Sequence, residues 1–230
     1  MGLTIHFSFK FKGSAAEAQA LVCKLYLQAV KLFPEVQPVT HFTGNQLKPA
    51  PKDKQWVLKF SGRKMVVHKD KAISFKEPTE LIGFIAYNGP GCEPLRVGLA
   101  RCNATNSWHW QSFCKTQYAS NPEHGGAKNF VTCHLRVITL LKYAKSLGLI
   151  QKVDDGGHFW ESGDPQLLVA KVTKYNQFIA AFAGQLKDQM DTPVVSEITK
   201  FPDFENLEAA GMTNNKQIEA AVKRILHNLK

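Results

Sequence analysis

The sequence predicts an α+β fold: a mixed or mainly antiparallel sheet, covered by helices mainly on one side, with a C-terminal helical extension. Three observations predict it. Residues Leu3 to Phe11 alternate strictly between apolar and polar, the pattern of a strand with one wet face. Strand-like segments then cluster in the middle of the chain, with amphipathic helices between them.

The elements follow in order. Leu3, Ile5, Phe7, Phe9 and Phe11 point one way, and Thr4, His6, Ser8 and Lys10 the other. Gly13-Ser14 ends this strand. Ser14 and Glu17 have capping-box spacing, so a helix starts there and runs to about Phe33, before Pro34. Residues 35–75 are β-like but irregular, with a strand over Val36 to Phe42. Lys48 to Lys52 form a proline loop. Gln55 to Phe60 and Lys64 to His68 are expected to pair as a hairpin, with a further strand at Ala72 to Phe75. Leu81 to Tyr87 is apolar on both faces, the mark of a central strand, and Arg96 to Arg101 alternates again.

Phe130, His134, Val137, Ile138, Leu141 and Ala144 share a helix face that ends at Gly148. Ile150 to Val153 and His158 to Glu161 are expected to be two short strands around a turn at Asp154 to Gly157. Asp164-Pro165 then opens a long helix carrying Leu168, Val172, Tyr175, Phe178, Ile179, Phe182 and Leu186. After Met190 the chain loosens, with Pro193 and Pro202, before a last amphipathic helix at about 216–229. Residues 1–190 therefore form one α+β domain and 191–230 an extension. Two βαβ-like passages, residues 3–43 and 96–153, are consistent with a ferredoxin-like arrangement enlarged by insertions.

Composition narrows the function. The formal charge is +10 over 230 residues, which favours polyanion partners. Only Arg63, Arg96, Arg101, Arg136 and Arg224 are arginines, however, and lysine recognises phosphate less specifically. A nucleic-acid-binding protein using the lysines of 48–76 is the second reading, behind a small ligand. A partner-binding module docking through helix 216–229 is the third. Five cysteines at irregular positions make no disulfide framework. With no signal sequence and no apolar run of membrane-spanning length, the chain is expected to be soluble and cytoplasmic, without membrane contact. Oligomeric state is not encoded in any pattern here.

Four of the five cysteines and three of the four tryptophans lie within residues 92–160, densest at Ser107 to Tyr118. Free cysteines are usually core residues, and Cys23, Cys102 and Cys133 fit that. Metal-ligand spacings such as C-x-x-C or H-x-x-x-H are missing, and no cofactor is implied; His109, His124 and His158, in loops or turns, are the histidines a site drawn from distant loops would use. The polar surplus in this stretch exceeds what a turn or core strand requires. It points to a pocket for a small polar or anionic molecule where Asn88 to Pro94, residues 107–118, His124 to Gly126 and residues 158–161 converge. Arg101, Gln111, Lys115 and Gln117 are the expected binding groups, with Trp108, Trp110 and Tyr118 as an aromatic shelf. His109, Cys114 and Glu161 are the reactive candidates: an imidazole, a thiol beside a lysine, and a carboxylate beside Trp160.

Overall fold

Strict alternation in the first strand sets the plan of the molecule. In the computed structural model, which describes residues 3–48, 56–68, 71–103, 106–189 and 195–212, Thr4–Lys12 is strand β1. Its Ile5, Phe7 and Phe9 are buried, while His6 and Lys10 face outward. The Ser14 cap forms as expected. Ser14 Oγ accepts from the Glu17 amide at 3.2 Å and the Ser14 amide donates to Glu17 at 2.7 Å, starting α1 (Ala15–Leu32). Helix α1 buries Ala18, Val22, Leu25 and Ala29 on one face of the sheet.

The main sheet is antiparallel throughout its pairings and runs β2-β6-β7-β8-β1-β9, with β3 also on β6. The strands are β2 (Glu35–Val36), β3 (Thr40–Thr43), β6 (Glu80–Tyr87), β7 (Leu95–Arg101), β8 (Ser107–Lys115) and β9 (Ile150–Asp155). Strand β6 is buried on both faces, as its continuous apolar run predicts. The order β7-β8-β1-β9, with α1 following β1 and α3 (Gly126–Ser146) joining β8 to β9, is the split βαβ plan of a ferredoxin-like sheet. The strand that completes the first βαβ is β7, not one within residues 35–43, so everything from β2 to β6 is insertion. Helices α1 and α3 lie together on the face of Ile5, Phe7 and Phe9, where most of the core sits.

Two expected strands are helices. Of the arm expected at Gln55 to Phe60, the described residues are helical: Trp56–Ser61 is helix α2. Glycines in β6 and β7 are paired at Gly83 and Gly98, leaving room that Leu58 fills: a Cβ on Gly83 would meet Leu58 Cδ1 at 3.3 Å. That site takes one turn of helix, and tertiary packing overrides the local β pattern. The hairpin instead pairs β4 (Lys64–Val67) with β5 (Ile73–Lys76) as a separate small sheet. His158 to Glu161 is likewise not a strand. Asp155 accepts from the amides of Phe159 and Trp160 at 2.8 and 2.9 Å, and the chain turns into α4 (Phe159–Ser162). The run Asp154 to Gly157 thus ends β9 and leads into a helix.

Helix α5 (Pro165–Gln189) starts as expected, with the Gln166 amide donating to Asp164 at 2.8 Å. Helix α6 (Phe204–Met212) packs back on α5, and Ala180 and Ala183 are buried with Ile198 and Phe201. The helix expected at 216–229 lies outside the described residues, as do residues 49–55 and 69–70 of the lysine-rich stretch. Among the described residues, no helix is long and apolar enough to cross a membrane.

Candidate functional site

The face of the sheet away from α1 and α3 is only partly covered. Helix α2 lies over Leu81, Gly83 and Ala100, and the β4–β5 hairpin stands beside it. Over β1, β8 and β9 the face is open among the described residues, and there a cavity of about 510 Å³ forms. Its floor is His6 and Ser8 of β1, Gln111 and Phe113 of β8, and Lys152 and Asp154 of β9, with Arg96 of β7 alongside. Its wall is Phe60, Arg63, Met65 and Phe75 from α2 and the hairpin.

Strand register explains the floor. His6 is paired with Phe113 and with Asp154, and Ser8 with Gln111 and Lys152, so the polar residues of three strands fall on one face. The rings of His6 and Phe113 lie 5.6 Å apart. Arg96 stacks over Phe113 at 4.8 Å and donates to the Phe113 carbonyl at 3.3 Å, while its Nε is buried without a hydrogen-bond partner among the described residues. Burial holds the Arg96 pKa below its ordinary value, opposed by the nearby Glu93 charge. Arg63 stacks over Phe60 at 4.8 Å and pairs with Glu77 at 2.8 Å. Phe60, Met65, Phe75 and Phe113 all remain substantially exposed. Large apolar side chains left in water around a concavity are a mark of a binding surface.

The densest sequence segment is divided by this sheet. Trp108, Trp110, Ser112 and Cys114 turn into the core, whereas His109, Gln111 and Phe113 face the other way. Trp108 and Trp110 do share a face, but it is the buried one. Their indole nitrogens donate to Gly13 and Arg96 carbonyls, each at 3.0 Å, so they form no exposed shelf. Cys114 is fully buried, donates to the Glu93 carbonyl at 3.2 Å, and has its thiol pushed up by burial, which opposes a nucleophilic thiolate. Gln117 is also fully buried: it accepts from the Leu3 amide and donates to Asn176, both at 3.0 Å, and so acts as an internal strut.

The other expected residues scatter. His109 sits beneath α2, its Nε2 3.2 Å from the Gly62 carbonyl, and burial lowers its pKa. Lys115 bonds to the Tyr118 hydroxyl at 3.2 Å and lies 4.2 Å over its ring, and that ring meets Phe201 edge-on. Arg101 pairs with Glu80 and stacks on Trp108 at 5.0 Å. Glu161 is exposed on α4. His109, Cys114, Lys115 and Glu161 therefore face no common cavity, and Gln111 alone of the expected binding residues lines the one described.

Of the segments expected to converge, Asn88 to Pro94 and residues 107–118 do meet. The Glu93 amide bonds to the Lys115 carbonyl at 2.9 Å, and Asn129 of α3 bonds to the Ala119 carbonyl at 3.2 Å. Beside them runs a buried chain: Thr116 Oγ1 lies 3.0 Å from His134 Nδ1, and His134 Nε2 lies 3.1 Å from Asp155. The order hydroxyl, imidazole, carboxylate resembles a catalytic relay. Thr116 and His134 are fully buried and Asp155 is 3 % exposed, so no substrate reaches it. It fastens β8, α3 and β9 together. Among the described residues, no three His, Cys, Asp or Glu side chains are placed to hold a metal.

The cavity residues missed from the sequence include His6, Arg63, Arg96, Phe113, Lys152 and Asp154. The wet-face alternation of β1 marked His6 and Ser8. The partners of that face on β8 and β9 depend on strand order, which no local pattern states. Comparison of the chain with protein-family models, curated proteins and solved structures gave no match.

Proposed function

We propose that this protein binds a small polar or anionic molecule that also carries an aromatic or apolar body, in the cavity on the open face of the sheet. The observation that carries this reading is the composition of that cavity. Apolar groups that water would otherwise surround, Phe60, Met65, Phe75 and Phe113, stand with Arg63, Arg96 and Lys152 around about 510 Å³, a volume typical of ligand sites. An apolar body covers the rings, and an anionic group meets the cations. Gln111 and Ser8 supply neutral hydrogen-bonding groups for orientation. Five free thiols suit a reducing compartment, which supports a cytoplasmic location.

Methionine methyl NMR tests the reading, because Met65 lines the cavity and Met212 is remote on α6. On titration with aromatic carboxylates and phosphates, the Met65 signal is expected to shift while the Met212 signal stays. Phe113→Ala and Arg96→Gln should each weaken binding about tenfold, the loss of roughly 1.4 kcal/mol. A Met65 signal unmoved across the panel would count against the cavity as a site.

A further inference from the structure

We infer that the molecule taken by the cavity is one nucleotide unit of a single-stranded nucleic acid lying across the open sheet face. The inference rests on the reading of this cavity as the binding site, and adds the chemical class of its ligand.

Three features lead to it. First, His6 and Phe113 place two rings side by side on the adjacent central strands β1 and β8, 5.6 Å apart, on a face that, among the described residues, no helix covers at that point. An unpaired base presents a flat π surface and stacks on such rings, whatever its sequence. A duplex keeps its bases stacked on one another and cannot use them. Second, aromatic surface and positive charge come as joined units, Arg96 on Phe113 and Arg63 on Phe60, which matches a ligand whose flat ring is joined closely to a phosphate. Third, the positive charge does not stop at the cavity. Lys10 extends the same face of β1 beyond Ser8, and Lys152 stands on the edge strand. Against these stand Asp154 in the cavity, which pairs with Lys152 at 3.8 Å, and Glu77, which pairs with Arg63. Cations that continue beyond a ring site suit a phosphate backbone better than one isolated anion, and the formal charge of +10 agrees. Gln111, on the floor beside Ser8, can donate to and accept from a base edge.

Fluorescence anisotropy tests this with labelled single-stranded RNA and DNA octamers, the corresponding duplexes, and unlabelled mononucleotides as competitors. Expected are binding of an octamer at low salt, duplex binding at least tenfold weaker, and mononucleotide competition far weaker than that of the octamer. Phe113→Ala should lose about tenfold or more, with Phe113→Tyr restoring most of it. Lys10→Ala and Lys152→Ala should lose less, and each should reduce the slope of log affinity against log salt by about one. Equal affinity for duplex and single strand, with Phe113→Ala harmless, would show ordinary polyelectrolyte attraction and overturn the inference. A mononucleotide binding as tightly as the octamer would overturn the extended strand. No octamer binding, while Met65 still responds to another aromatic anion, would sink the inference and leave the cavity reading intact; no response to either would sink both.

Discussion

Asp155 shows how much one side chain fixes. Its carboxylate accepts from the amides of Gly157, Phe159 and Trp160 and meets His134, all inside the protein. Desolvation pushes its pKa up, but the hydrogen bond and charge of His134 and the backbone amides outweigh that, so the net shift is downward. A folded value below the unfolded one gives stability that is complete above the unfolded pKa of about 3.9 and is lost as pH falls through the folded value. The urea midpoint is therefore expected to be insensitive to this group near pH 7 and to drop as the pH falls below about 4. Asp155→Asn should flatten that acid limb and cost about 3 kcal/mol at neutral pH, because it leaves buried donors poorly matched. Urea melts followed by circular dichroism between pH 2.5 and 7 check both. An acid limb unchanged in the variant would assign the acid loss to other groups. At this same scale, the sequence picks out Gln111 and passes over Phe113, both of which line the cavity: nothing local separates a ring in water from a ring in the core.

At the scale of elements, β1, α1, β6, α3 and α5 were written in the sequence. Each has a long period or a cap that local chemistry alone decides. Helix α2 and α4 were not: Gly83, distant in sequence, gives room to Leu58, and Asp155, which reads equally well as a hairpin-turn residue, caps α4. The turn between β6 and β7 is of a third kind. Gly91 has φ of +75°, and a Cβ there would lie 2.3 Å from the Tyr118 carbonyl oxygen. Gly89 has φ of +112° with nothing within 4 Å. Gly91→Ala is expected to cost about 2–3 kcal/mol and Gly89→Ala about 1 kcal/mol, both read from urea melts. Equal costs would mean that backbone conformation alone matters, and not the approach to Tyr118.

For the molecule as a whole, the question is how the C-terminal part relates to the sheet. Ile198 and Phe201 bury themselves on Ala180 and Ala183 of α5, and the Phe201 ring meets Tyr118, which follows β8. Removing residues 191–230 uncovers that surface. The truncated chain is expected to melt at least about 5 °C lower and to self-associate, as seen by calorimetry and light scattering. A truncated chain that stays monomeric and melts like the full one would mean that this packing adds nothing to the stability of the remainder.

What the sequence determined by itself was each surface: which residues of β1 are wet, which runs are buried on both sides, where helices start and stop. These follow from periodicity and capping, which act over a few residues. The tertiary structure decided which surfaces meet. Setting β8 and β9 on either side of β1 aligned His6, Phe113, Lys152 and Asp154 on one face, and the same alternation sent Trp108, Trp110 and Cys114 into the core. The physical reason is the period of two in a strand: a dense cluster of reactive residues is split between opposite faces, and a site is assembled from neighbours distant in sequence.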